Sequence, residues 1–201
     1  MRIPRVFTTG LLTALVGFWR REVGPRKRDI FLTQDFCLAA LLAVAMAYWG
    51  PSTLTGAPKA ADIATGFIAY AAIALGFCVG GMTIALTLPD RAFVEKLAKL
   101  EIEGKAGNAL SGLLFVFTWT AVVHWLAIVS LIVALVFDGG DPRTFVADRS
   151  ITQRVIIGSV TFLCTYALLR FLITVLTLAH VGLHYINQLR KPEDSATTAK
   201  N

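Results

Sequence analysis

Four long apolar runs dominate the pattern of hydrophobic and polar positions along this chain of 201 residues. They cover about residues 30–49, 63–88, 110–137 and 151–185. Each run is near or above the roughly 18–20 residues that a helix needs to cross a bilayer. The pattern therefore predicts an all-α polytopic membrane protein, with four transmembrane helices packed as a bundle within residues 30–190.

Polar residues recur through the last apolar run at helical spacing, so they form a single stripe on one helix face. A polar stripe on an apolar membrane helix has to face partner helices or water instead of lipid. Arg170 is the member of the stripe that most needs an explanation, because a charge inside a bilayer costs about 2.5–3.5 kcal/mol on insertion scales. The stripe consists of Ser159, Tyr166, Arg170, Thr174, Thr177, His184 and Gln188.

Two residues from other runs are candidate partners for Arg170. Asp35 approaches from the start of the first run, and a neutral His124 lies near the middle of the third. A structural ion pair or hydrogen bond would explain an arginine at this depth, and so would a polar cavity. The predicted intramembrane polar network contains Asp35, His124, Tyr166, Arg170, Thr174 and Thr177.

The second run carries a stripe of small residues. Ala72, Gly76 and Gly80 recur at every fourth position, and the two glycines form a GxxxG pair. Such a stripe lets two helix backbones approach closely. We expect it to pack against another helix, either within one chain or between copies of a homo-oligomer.

The two ends of the chain are polar or basic. Residues 1–29 form a basic arm in which residues 6–19 have an apolar face, with no signal-peptide cleavage site after them. This predicts an amphipathic helix at the cytoplasmic interface, with a re-entrant or fifth membrane segment as the alternative. Residues 191–201 are predicted to form a disordered tail.

The loop at residues 89–109 is the one sizeable loop on the predicted cytoplasmic side. Its apolar residues recur at helical spacing with charged residues between them, which indicates an amphipathic helix. Such a helix would extend the second span, lie on the membrane, dock a cytosolic partner, or be a solvated helix packed on its own protein. The candidate docking surface contains Phe93, Lys96, Leu97, Lys99 and Leu100.

The distribution of positive charge predicts the orientation. Fourteen Lys and Arg residues lie in the arm, in the 89–109 loop and from residue 190 onward, against four on the other side, which are Lys59, Arg143, Arg149 and Arg154. The positive-inside rule then places both termini in the cytoplasm, with the chain in the inner membrane. An anionic lipid surface accounts for the net charge of +6, so no direct nucleic-acid partner is expected.

The sequence contains no recognisable catalytic or cofactor-binding pattern. It lacks nucleophile motifs, phosphate loops and clustered carboxylates, and its three cysteines form no CxxC pair. The three histidines do not provide the matched pairs that a membrane haem protein needs. We therefore expect a non-enzymatic protein without a metal or cofactor.

In size, span count and cytoplasmic termini the chain resembles the small four-span membrane subunits of bacterial defence complexes, such as that of the Kiwa antiphage system. The resemblance covers the layout of the whole chain and transfers no site residues. It implies sensing of a membrane disturbance and relay to a cytosolic effector. The leading hypothesis is thus an oligomeric inner-membrane subunit that senses or anchors at the membrane and relays to a cytosolic partner.

The alternative hypothesis is an ion channel or a small transporter. Several copies would turn the polar face of the fourth helix toward a shared axis, and a ring of Arg170 side chains would favour anions.

Overall fold

A computed structural model gives the fold of the protein. The structure describes residues 10–49, 60–87, 94–95, 98–99, 108–138 and 151–197. Nearly all of these residues are helical, and none of them lies in a strand, so the all-α prediction is confirmed.

The N-terminal part of the chain is helical but irregular. Helix α1 (Leu11–Phe18) runs into a π-helical turn (Trp19–Val23) and then into a 3₁₀ turn (Gly24–Arg26). Helix α2 (Lys27–Phe31) follows directly. Departures from α-helical geometry of this kind often mark hinges or functional sites.

The first predicted span is broken near its start. A bend at residues 32–33 separates α2 from α3 (Gln34–Trp49), whereas the sequence predicts one uninterrupted helix from residue 30. The hydroxyl of Thr33 donates to the carbonyl of Ile30 at 3.0 Å, and such side-chain bonds compete with the helical backbone ladder. Asp35 lies in the first turn of α3, where the helix dipole favours a negative charge.

The other three apolar runs form three long helices. These are α4 (Ala60–Thr87), α5 (Ala109–Asp138) and α6 (Ile151–Thr197). Each of them is long and apolar enough to cross a membrane, as the sequence predicts, while α3 is shorter at 16 residues. At 1.5 Å per residue α3 is about 24 Å long, less than the roughly 30 Å of a bilayer core.

Helix α6 continues well past its apolar part. The stretch that suits a membrane is Arg154–Leu183, but the helix runs on to Thr197. Residues 198–201 of the predicted disordered tail lie outside the described part of the chain. Residues 191–197 are helical in the structure. They extend an existing helix, which requires no new nucleation, so a polar composition does not prevent them from being helical.

The long helices and α3 pack side by side in a row. Helix α3 packs against α6, α6 against α5, and α5 against α4. The α3–α6 pair is antiparallel, since Ala47 lies next to Gly158 while Asp35 lies next to Arg170. Helices α3 and α4 therefore form the two ends of the row in the described part of the chain.

Small residues let α3 approach α6 closely. The alanines Ala39, Ala43 and Ala47 are all buried, and a Cβ at Gly158 would lie 3.5 Å from that of Ala47. The sequence analysis did not single out this stripe. The interface follows the small-residue rule of membrane helices, although on a different helix from the predicted one.

Helix α4 does not use the predicted stripe for packing within the described chain. Ala72 and Gly76 are exposed, and a Cβ at Gly76 or Gly80 would meet no atom within 4 Å. Helix α4 instead packs on α5 through another face, which contains the buried residues Ala71, Ala74, Cys78, Gly81 and Ala85.

The second half of the basic arm belongs to the packed unit. Val23 and Ile30 are fully buried in the main hydrophobic cluster. The ring of Phe18 stacks on that of Phe115, with centroids 6.4 Å apart. The interfacial position of residues 6–19 stays a prediction, and residues 6–9 lie outside the part of the chain that the structure describes.

The predicted docking loop lies mostly outside the described residues. Within it, residues 94–95 and 98–99 are helical, and Lys99 is exposed. Phe93, Lys96, Leu97 and Leu100 belong to the part that the structure does not describe.

Candidate functional site: a polar network at the helix break

Arg170 pairs with Asp35 across the α3–α6 interface. Its Nε lies 2.9 Å from Oδ2 of Asp35, and the two side chains are only 12% and 10% exposed. Arg170 is near the middle of the apolar stretch Arg154–Leu183. Of the two candidate partners, the structure thus selects Asp35.

The guanidinium of Arg170 also bridges the break in the first span. Its Nη2 donates to Oγ1 of Thr33 at 3.3 Å and to the carbonyl of Ile30 at 3.4 Å. The break removes this carbonyl from the helical ladder, so its hydrogen bonds come from two side chains, the Thr33 hydroxyl and the Arg170 guanidinium. Arg170 therefore stabilises the same irregular backbone that positions Asp35.

The ion pair is a charge contact without a directed hydrogen bond. The Nε–H of Arg170 points instead at the hydroxyl of Tyr166, 2.9 Å away. As a result the buried Oδ2 of Asp35 accepts no hydrogen bond from any described residue. A buried carboxylate is normally hydrogen-bonded, so this one is incompletely satisfied.

Tyr166 ties the pair to α5. Its hydroxyl accepts a hydrogen bond from Nε1 of Trp119 at 3.2 Å, and both residues are buried. The guanidinium of Arg170 lies 5.0 Å from the centre of the Tyr166 ring, which adds a cation–π contact.

A pair of fully buried threonines forms a second link between α5 and α6. The hydroxyl oxygens of Thr120 and Thr174 are 2.7 Å apart. Thr174 also donates to the carbonyl of Arg170 at 2.8 Å, so its one proton is used and Thr120 must be the donor in the pair. Thr177, by contrast, donates to the carbonyl of Ile173 in its own helix and joins no other helix in the described structure.

His124 extends the network to α4. Its Nδ1 lies 2.8 Å from the carbonyl of Thr120, so Nδ1 carries the proton. With that tautomer, Nε2 accepts from the hydroxyl of Tyr70, 3.4 Å away. His124 is fully buried and makes no contact with Arg170 of the kind considered from the sequence.

The connected polar groups form a structural network and not a proton wire. Between Arg170 and Tyr70 it passes through two backbone carbonyls, those of Arg170 and Thr120. A carbonyl accepts a hydrogen bond but has no proton to hand on. The network therefore fixes the positions of four helices relative to one another, and its one pair of opposite charges lies at the helix break.

Aromatic side chains surround this network and separate it from the outer faces of the helices. Edge-on or tilted ring contacts link Tyr70 to His124 and to Phe171. On the side of the ion pair, the rings of Phe36 and Phe162 pack against Tyr166. Such surroundings lower the local dielectric and strengthen the Asp35–Arg170 attraction.

The structure joins five of the six predicted network residues: Asp35, His124, Tyr166, Arg170 and Thr174. The sixth predicted residue, Thr177, is not part of the network. Sequence reasoning missed four further members, which are Thr33, Tyr70, Trp119 and Thr120. Thr120 precedes His124 by four residues, a helical spacing that could have revealed it, whereas no local signal marks Thr33.

Within the described residues, no group of three or more His, Cys, Asp or Glu side chains lies close enough to bind a metal ion. The chain matches no family model, no curated protein and no solved structure.

Proposed function

We propose that this chain is a non-enzymatic, oligomeric subunit of the inner membrane that relays the state of the membrane to a cytosolic partner. In this arrangement α2 and α3 together form the first of four spans, and α1 lies at the cytoplasmic surface. Both termini are cytoplasmic, in accord with the charges of the loops. The observation that carries the proposal is the buried Asp35–Arg170 pair at the helix break.

This pair connects the two parts of the chain that would reach the cytoplasm. On one side it contacts the backbone between α2 and α3, and thus the N-terminal arm. On the other side Arg170 is part of α6, which continues as one unbroken helix to Thr197. A displacement at Arg170 would therefore be transmitted along α6 past the end of the apolar stretch at Leu183.

An ion pair in this setting is better suited to switching than to stability. Desolvation of two charges largely offsets their attraction, so a buried pair adds little net stability. Oδ2 of Asp35 also accepts no hydrogen bond from any described residue, which brings alternative arrangements closer in free energy. A change in the bilayer needs to supply only a small difference in free energy to shift such an equilibrium.

The geometry supports a relay better than a pore. Tyr166 and Thr174 face the interior of their own chain and are buried there. The charge of Arg170 is balanced by Asp35, so a ring of these arginines would not offer free positive charge to anions. Flux through liposomes that Arg170→Ala alters would be the result in favour of a channel or transporter.

We place the contact between copies on the outer face of α4. Small residues follow this face from end to end, and exposed Ile73, Val79 and Ile84 flank them as ridges. The resulting groove would accept the α4 helix of a second copy at short distance. The small residues are Ala69, Ala72, Gly76, Gly80, Thr83 and Thr87.

The layout shared with membrane subunits of bacterial defence complexes extends the proposal to antiphage defence. In that setting the disturbance sensed would be damage or remodelling of the membrane during infection, and the partner would be a cytosolic effector.

Co-purification tests the relay directly. A cytosolic protein should co-purify with the detergent-extracted chain from its native cell at a fixed stoichiometry. Charge reversal by Lys96→Glu and Lys99→Glu should release it, because these residues belong to the proposed docking surface. Lys59→Glu, in a loop on the opposite side of the membrane, is the control and should retain the partner. Equal partner recovery in all variants would contradict the docking surface, and the absence of any partner would contradict the relay.

A further inference from the structure

We propose that residues 18–31 form a latch over α5, hinged at residues 32–33 and kept closed by the Asp35–Arg170 pair. The latch rests on the proposed relay only for its biological role. Its geometry rests on the contacts of the N-terminal segment with α5 and α6.

The latch covers a surface that α3 leaves open. Helix α3 begins beside Arg170, so it covers α6 only from about Gly158 to that point. Past Arg170, the N-terminal segment packs where α3 is absent. Its residues Val23 and Ile30 are fully buried in the hydrophobic cluster that contains Trp119. A short irregular segment thus covers what a continuous first span would have covered.

The contacts under the latch are mainly aromatic and lie near the start of α5. Phe18 stacks on Phe115, and the rings of Trp19 and Trp119 are tilted with centroids 6.4 Å apart. The guanidinium of Arg26 lies 4.4 Å from the centre of the Phe115 ring. Nη2 of Arg26 also donates a long hydrogen bond of 3.4 Å to Oγ of Ser111 on α5. Ring packing and one long hydrogen bond are weak contacts, so we expect the latch to separate from α5 as one helical segment.

The hinge is the bend between α2 and α3. Within the described chain, no backbone hydrogen bond connects α2 to α3, and the first one past the bend runs from Cys37 to Thr33. The tether across the bend is the 3.0 Å bond from the Thr33 hydroxyl to the Ile30 carbonyl. Few bonds therefore resist a change of angle at residues 32–33.

The guanidinium of Arg170 keeps the latch closed in this proposal. It donates two long hydrogen bonds, one of 3.4 Å to the carbonyl of Ile30 in the latch and one of 3.3 Å to the hydroxyl of Thr33 in the hinge. Bonds of this length are weak, so their effect depends on how firmly the guanidinium is positioned. Asp35 supplies the opposite charge that keeps it at the bend. Neutralising Asp35 should let Arg170 move away and release the latch.

Hydrogen exchange measured by mass spectrometry tests the latch on the full chain in liposomes, without any partner. In Asp35→Asn, amides of residues 18–31 should exchange at least several-fold faster than in the native chain. Amides in α4, and in α5 beyond the latch contacts, should keep their native rates. Thr33→Val removes the tether at the hinge and should accelerate the same amides, which provides a second variant if Asp35→Asn folds poorly.

The control is Thr177→Val, because the Thr177 hydroxyl bonds only within its own helix. It should exchange like the native chain. Unchanged exchange at residues 18–31 in both test variants would overturn the latch, and so would a uniform increase throughout the chain, which indicates general loosening. Neither result bears on partner recovery, so failure of the latch and failure of the relay can be told apart.

Discussion

The Arg170 guanidinium has to be satisfied in an apolar interior, and residues from three helices share this task. Asp35 supplies the counter-charge, Tyr166 accepts from Nε, and the Ile30 carbonyl accepts from Nη2. Removal of one member of a buried pair leaves the other uncompensated, at a cost of about 3–5 kcal/mol. Replacement of both by apolar residues of similar size is often close to neutral.

A double-mutant cycle therefore distinguishes a buried pair from two independent residues. We expect Arg170→Met and Asp35→Leu each to lower the free energy of unfolding by about 3 kcal/mol. The double variant should lose clearly less than the sum of the two single losses. Reversible unfolding in mixed detergent micelles measures all four proteins. Additive losses would contradict a direct interaction between the two charges.

At the scale of the helices, α4 has two faces with different tasks. A Cβ at Gly81 would lie 2.4 Å from Cε1 of Phe117 on α5, so this glycine is required for packing within the chain. A Cβ at Gly76 would meet nothing within 4 Å. The inner face therefore determines stability, and we assign the outer face to contacts between copies.

Two glycine substitutions should separate these tasks. Gly81→Ala should lower the free energy of unfolding by about 1–3 kcal/mol through overpacking and leave the oligomer intact. Gly76→Ile should fill the outer groove and disperse the oligomer, with little change in the stability of the single chain. Thermal unfolding and native gel electrophoresis of both variants give the two readouts. Loss of the oligomer in Gly81→Ala but not in Gly76→Ile would reverse the assignment of the faces.

Sequence patterns predict the long helices well, because apolar length and helical spacing are local properties. The same spacing places Tyr166, Arg170 and Thr174 on one face, and the structure buries that face. The break in the first span could not be predicted in this way. The break is in contact with Arg170, which is 137 residues from Thr33 in the chain, and local spacing does not reveal such a contact. The alanine stripe on α3 was also missed, since alanines are frequent in any membrane helix.

At the scale of the whole molecule, the two helices at the ends of the row, α3 and α4, differ in what they contact. Helix α3 pairs with α6 through the ion pair and carries the break, while α4 offers a groove on its outer face. Helix α6 connects the middle of the row to Thr197, about 40 Å from Arg170 along the helix at 1.5 Å per residue. We therefore propose that the break senses the membrane, that α4 joins the copies, and that α6 carries the signal to the cytoplasm.

The central claim is that the buried pair controls the attachment of a cytosolic partner, and native mass spectrometry tests it most directly. The detergent-extracted complex would be compared between the native chain, Asp35→Asn and the control Thr177→Val. We predict the same oligomer in all three, with partner occupancy in Asp35→Asn changed about fivefold or more, as expected for allosteric coupling. The same partner occupancy in Asp35→Asn as in the native chain would contradict the claim.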